Sequence, residues 1–322
     1  MEHFIFALNA TMPIFLLILL GWFLQRIKLT NDIFNKTADT FVFKCALPFS
    51  LFVSISKMDF YSDFDLKFCL FCFLCTTVMF FGTWWISALV LKDKTAIGAF
   101  AQASVRSSSA ILGVTLAISI YGETGMVPMM ILSAVPFFNI YSVLILNFSP
   151  QMDENGNLLP GSKGNGAVKK ALRNIVTNPM VIGILSGVPF SIFKIHLPSI
   201  LLDGMTMIGD TASPLALLAV GGSFSAAEAL KRWKLAAVAS FVKLMALPAV
   251  LLALAAALGF RNSEMVAILI MAGSPTTVAC YVMARNMHAD TVLTSNTIVL
   301  STLFSSVTIT FWLFILRTFG LL

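Results

Sequence analysis

Long apolar runs alternate with short charged or Gly/Pro-punctuated breaks along the whole chain. The runs lie near 4–25, 33–56, 66–91, 96–121, 125–148, 171–193, 199–223, 235–259, 264–287 and 291–317. Each is close to the ~20 apolar residues that a helix needs to cross a bilayer. The pattern predicts ten membrane-spanning helices. One clearly polar stretch interrupts it, SPQMDENGNLLPGSKGNG (149–166), which has no apolar periodicity and reads as a loop. The chain thus divides into 1–148, a linker at 149–170, and 171–322, with five spans on each side.

The punctuation of the two halves is in step. Pro13 and Gly21 of span 1 recur 166 residues later as Pro179 and Gly187 of span 6. Pro48 recurs as Pro214 and Ser108 as Ser274 at the same offset. An odd number of spans per half makes the second half enter from the opposite side. The expected fold is therefore an all-α polytopic membrane protein built as two inverted five-helix repeats, an arrangement common among secondary transporters.

Composition agrees. Of 322 residues, 58% are apolar and 11% are charged, against about 25% charged in a soluble domain. A soluble globular protein, a disordered chain and a disulfide scaffold are excluded. The net charge of +6 is explained by basic loops rather than by nucleic acid. Thirteen Lys and Arg follow the odd-numbered spans and five lie on the opposite side. The positive-inside rule then places both termini outside and the central loop in the cytoplasm of a cell inner membrane. Cys69, Cys72 and Cys75 fall near one helix face, and small, soft side chains of this kind pack well in apolar surroundings.

Candidate chemistry gathers at midspan irregularities. Pro48 and Pro214 break the second and seventh spans. Span 4 carries Arg106, Ser107, Ser108, Ser109, Gly113 and Thr115, and span 9 carries Ser274, Pro275, Thr276, Thr277 and Cys280. Broken helices there would turn free backbone groups and hydroxyls toward a cavity, a setting for an anion. Close helix packing through small residues is the competing explanation. Arg106 could clamp a carboxylate or snorkel to the interface, and Lys243 reads as a snorkelling residue. Lys44 and Asp210 occupy equivalent positions, four residues before Pro48 and Pro214. The register suggests that they pair across a central cavity, with Asp210 as the group that would load H+ or Na+. Asp39 and Asp203 either line the same path or mark helix ends.

At these residues the chain resembles the auxin efflux carrier family, which includes PIN-like and bacterial carboxylate carriers. The resemblance rests on ALPFSLF (46–52), NPMVIGIL (178–185), SPLALLAVGGS (213–223) and SPTTVACYVMARNMHAD (274–290) and covers essentially the whole chain. It implies broken, crossing helices 4 and 9 beside the substrate, a scaffold part, a moving transport part and a homodimer. It also implies small organic anions as substrates. Where the family's helix 4 carries Asn, Gly and a crossover Pro, this chain has Ser108, Ala110 and Thr115. The expected function is secondary transport of a small organic anion by an elevator-type alternating-access motion, without a cofactor. The alternatives are a Na+-coupled symporter of bile-acid-carrier type and an anion sensor that does not transport. An enzyme is disfavoured, because His3, His196 and His288 are scattered and no HExxH or G-x-S-x-G motif occurs.

Overall fold

A computed structural model describes residues 2–57, 65–109, 117, 120, 125–150, 173, 176–223 and 226–322. All elements named among them are helical. They are α1 (Glu2–Arg26), α2 (Asp32–Ser56), α3 (Leu66–Val90), α4 (Ile97–Val105), α5 (Val127–Phe148) and α6 (Pro179–Ile192), followed by α7 (Ser199–Asp210), α8 (Ala212–Gly222), α9 (Leu230–Ala257), α10 (Ser263–Gly273), α11 (Ala279–Asn286) and α12 (Thr291–Thr318). Helix is described within each predicted span. Five of these helices, α2, α3, α5, α9 and α12, are long and apolar enough to cross a membrane. The predicted linker lies almost wholly outside the described residues, as do Gly113 and Thr115.

Prolines shape the long helices. In α2 and α9 a π turn, Val42–Ala46 and Val242–Ala246, runs into Leu47-Pro48 and Leu247-Pro248. Proline has no N–H for the carbonyl four residues back, so the ladder must shift there. In α9 the carbonyl freed by Pro248 belongs to Leu244, and the Trp312 indole N–H takes it at 2.9 Å. Near Pro214, the chain turns at Thr211 between α7 and α8.

Buried side chains form two main cores. One joins α3, α5, α10 and the far ends of α9 and α12, and includes Phe68, Phe80, Phe138 and Met265. Cys72 and Cys75 pack within it, and Cys69 is buried beside it. The other core joins α1, α2, α6, α8 and α11, and includes Ile18, Val42, Met180, Val220 and Tyr281. In the second core helices approach to backbone contact through glycine. A Cβ on Gly21 would lie 2.2 Å from the Leu218 carbonyl oxygen, and one on Gly187 would lie 2.9 Å from that of Phe52. The two pairs are related by the offset of 166: Gly21 goes to Gly187 as Phe52 goes to Leu218.

Candidate functional site

Two helices stop short in the interior. Helix α4 ends at Val105 and Arg106 turns extended, with ψ of 124°. Helix α10 ends at Gly273 and Ser274 turns extended, with ψ of 155°. The two extended segments run antiparallel and pair as Ser107 with Thr276. The Ser108 amide donates to the Pro275 carbonyl at 2.9 Å. The break in the fourth predicted span thus forms at the serine triplet, without a proline in it.

A broken helix leaves carbonyls without partners, and burying them unpaired is costly. Here the hydroxyls of the serine and threonine clusters supply donors. Thr276 Oγ1 donates to the Ala103 carbonyl at 2.7 Å, and Ser107 Oγ donates to the Met271 carbonyl. Ser274 Oγ donates to the Ile270 carbonyl at 2.6 Å. The Thr276 amide is taken by Ser301 Oγ of α12 at 3.1 Å. Ser107 and Thr276 therefore hold the crossing itself together, while Ser274 closes the end of its own helix. Ser108 and Thr277 keep partial exposure, and Pro275 is buried. Ser109 Oγ is buried with no partner among the described residues.

Arg106 sits in the break, 4% exposed. Its guanidinium donates to Asn139 Oδ1 on α5 and to Met283 Sδ on α11. Among the described residues no carboxylate lies within ion-pair distance of it. One turn earlier, Gln102 donates to the Cys280 carbonyl at 3.1 Å, while its Oε1 has no partner among the described residues. Ser142, on the same face of α5 as Asn139, has a buried hydroxyl that also lacks a partner among the described residues. Cys280 is fully buried, with its Sγ 3.9 Å from the Gln102 carbonyl.

Lys243 is the residue that sequence reasoning missed. It lies 13 positions inside α9, about 20 Å along the axis at 1.5 Å per residue, too deep for its stem to reach the interface. It is 0% exposed. Its Nζ donates to the carbonyls of Val105 at 2.8 Å and Ala272 at 2.7 Å, and to Ser107 Oγ. The signal that could have found it is the charge itself inside an apolar span, functional by default. Asn139, also missed, is the one amide in the apolar run of span 5 before its C-terminal end.

The Lys44 and Asp210 side chains are both exposed, and no ion pair joins them in this conformation. Lys44 instead lines a cleft of about 390 Å³ with Lys36, Thr37, Thr40, Phe41 and Cys45. Asp203 is exposed, whereas Asp39 is buried. Asp39 Oδ2 pairs with Arg285 Nε at 3.0 Å, and Arg285 also donates to the Tyr281 hydroxyl at 3.0 Å. This contact ties α2 to α11.

A second ion cluster lies toward the loops. Arg232 pairs with Asp93 at 2.6 Å and with Asp290 at 2.9 Å. Burial pushes the Asp290 carboxyl above its usual range, and the Leu293 amide and Arg232 offset this only in part. At Asp93 burial pushes up too, but bonds from Thr95 and Arg232 outweigh it and the carboxyl sits below its usual range.

The family model described as membrane transport protein matches residues 6–313. An uncharacterized transporter of Methanocaldococcus jannaschii is 23% identical over 318 residues, covering 96% of this chain and 98% of that protein. With the match spanning both broken helices and nearly all the rest of the sequence, the chain belongs to the membrane transport protein family, that of the auxin efflux carriers.

Proposed function

We propose that this chain is a secondary transporter that carries a small organic anion, a carboxylate, across the cell membrane by alternating access. The observation that carries the reading is Arg106: a buried guanidinium in a helix break with no carboxylate partner among the described residues. Burying an unpaired charge is expensive, and a ligand carboxylate would complete it by a bidentate contact. Gln102, Ser109, Asn139 and Ser142 supply polar groups around it. Ser108, Thr277 and Cys280 line the same break. Ser107, Ser274, Pro275 and Thr276 act on the substrate through the backbone geometry that they hold.

The same reading gives the fold its symmetry. Residues 1–148 and 171–322 form two inverted five-helix repeats, ten spans in all, joined by a cytoplasmic linker at 149–170. The related contacts Gly21–Leu218 and Gly187–Phe52 support this. So do the two meeting breaks, whose Ser108 and Ser274 are 166 apart. The core of α1, α2, α6 and α8 is the scaffold, and the core of α3, α5, α10 and α12 moves against it. The two sides of the membrane then see the crossing in turn. Both termini lie outside, and two copies form a dimer through their scaffolds. Asp210, exposed at the end of α7, is the carboxylate available to load a proton in other conformations, with Lys44 as its expected partner.

Binding tests this reading. A ligand of the native state raises its melting temperature. Purified protein screened against acetate, malonate, malate and indole acetate should be stabilised by at least one. Arg106→Gln should lose that shift while melting as one folded species. An equal shift in wild type and variant would remove Arg106 from the site.

A further inference from the structure

The Lys243 ammonium has three N–H donors, and it meets three oxygen acceptors: the Val105 and Ala272 carbonyls and Ser107 Oγ. None is a carboxylate. The two carbonyls belong to the C-terminal ends of α4 and α10. Each helix C-terminus carries roughly half a negative charge, so the two together match about one positive unit. Ser107 completes the shell and donates its own O–H to the Met271 carbonyl. Main-chain carbonyls and a hydroxyl converging from broken helices are also the donor set of a hard cation. What distinguishes the occupant here is its tether to α9. Gly273 lets that helix approach closely, since a Cβ there would lie 3.1 Å from the Pro248 ring.

We infer that Lys243 is the built-in cation of the crossing. Its ammonium stands where a monovalent metal ion would otherwise bridge the two broken helices. The chain accordingly takes no coupling cation at this position, and truncating the side chain opens a monovalent-cation site. The consequence for coupling rests on the transporter reading; the site itself does not.

The test uses purified wild type, Lys243→Ala and Lys243→Met, melted in choline, sodium, potassium and methylammonium chloride at equal ionic strength. Wild type should melt alike in all four. Lys243→Ala should melt lowest in choline and rise by several degrees in at least one of the other salts. Lys243→Met, whose stem still fills the space, should not respond. A Lys243→Ala protein that melts alike in all four salts, or cannot be recovered folded in any of them, overturns the inference. So does a wild type that Na+ stabilises over choline. In proteoliposomes, uptake by wild type should persist when choline replaces Na+, and a strict Na+ requirement would also overturn it. Absence of uptake of every carboxylate tried would count against the transporter reading, and the melting series would still decide the cation site.

Discussion

The Ser108 amide donates to the Pro275 carbonyl at 2.9 Å, joining two helices that end within the apolar interior. Main-chain pairing here replaces the intrahelical bonds that each helix gives up, and side-chain hydroxyls close the remainder. Thr276 is the clearest case, reaching the Ala103 carbonyl at 2.7 Å. Thr276→Val keeps the shape and strands that carbonyl. The expected cost is roughly 1–3 kcal/mol, the range for an orphaned buried acceptor, seen as a lower melting temperature. An unchanged melting temperature would mean that the hydroxyl does not support the crossing.

Glycine contacts offer a test of packing by paired opposites. Gly21→Ala places a methyl 2.2 Å from the Leu218 carbonyl oxygen, so the helices must part at a cost of roughly 1–3 kcal/mol. Gly187→Ala meets Phe52 and Ile55 and should destabilise in the same sense. Gly82→Ala has nothing within 4 Å and should stabilise α3 by about 0.5–1 kcal/mol through helix propensity. Thermal melts of the three variants give the signs, and a stabilised Gly21→Ala would refute the close α1–α8 contact.

The Asp290 carboxyl gives a pH dependence of defined sign. Its folded pKa is raised above the ordinary carboxylate value of 3.8, so the native state holds that proton more tightly than the unfolded chain. Below 3.8 the group is neutral in both states and costs nothing. As pH rises through the window above 3.8, ionisation in the buried setting removes stability. Asp290→Asn keeps an N-cap acceptor for the Leu293 amide and removes the ionisation. The difference in melting temperature, variant minus wild type, should grow as pH rises across that window. A difference that shrinks would contradict the assignment.

The punctuation of the sequence makes the helices and the two breaks legible. Proline and glycine act locally, through a missing donor and a missing Cβ, and a fixed offset survives without knowledge of the fold. Hydroxyl clusters at 107–109 and 274–277 marked the breaks for the same reason. Their partners were not legible. That Thr276 serves Ala103, and Ser107 serves Met271, depends on where two helices cross. For Lys243 the apolar run near 235–259 suggests a shallow position, whereas the helix begins before residue 235 and carries the side chain deeper. The Lys44–Asp210 pairing followed from register alone, and register does not say which way an exposed side chain points. For Arg106 the sequence leaves a carboxylate clamp and snorkelling both open, since it does not show that Asn139 and Met283 enclose the side chain.

The central claim is that Arg106 receives the carboxylate of a transported anion. Counterflow in proteoliposomes tests it most directly: vesicles loaded with an unlabelled carboxylate that stabilises the protein, and its labelled form outside. Wild type should accumulate label, and Arg106→Gln, reconstituted at equal amount and folded, should lose accumulation. Label accumulation by Arg106→Gln at the wild-type rate would contradict the account.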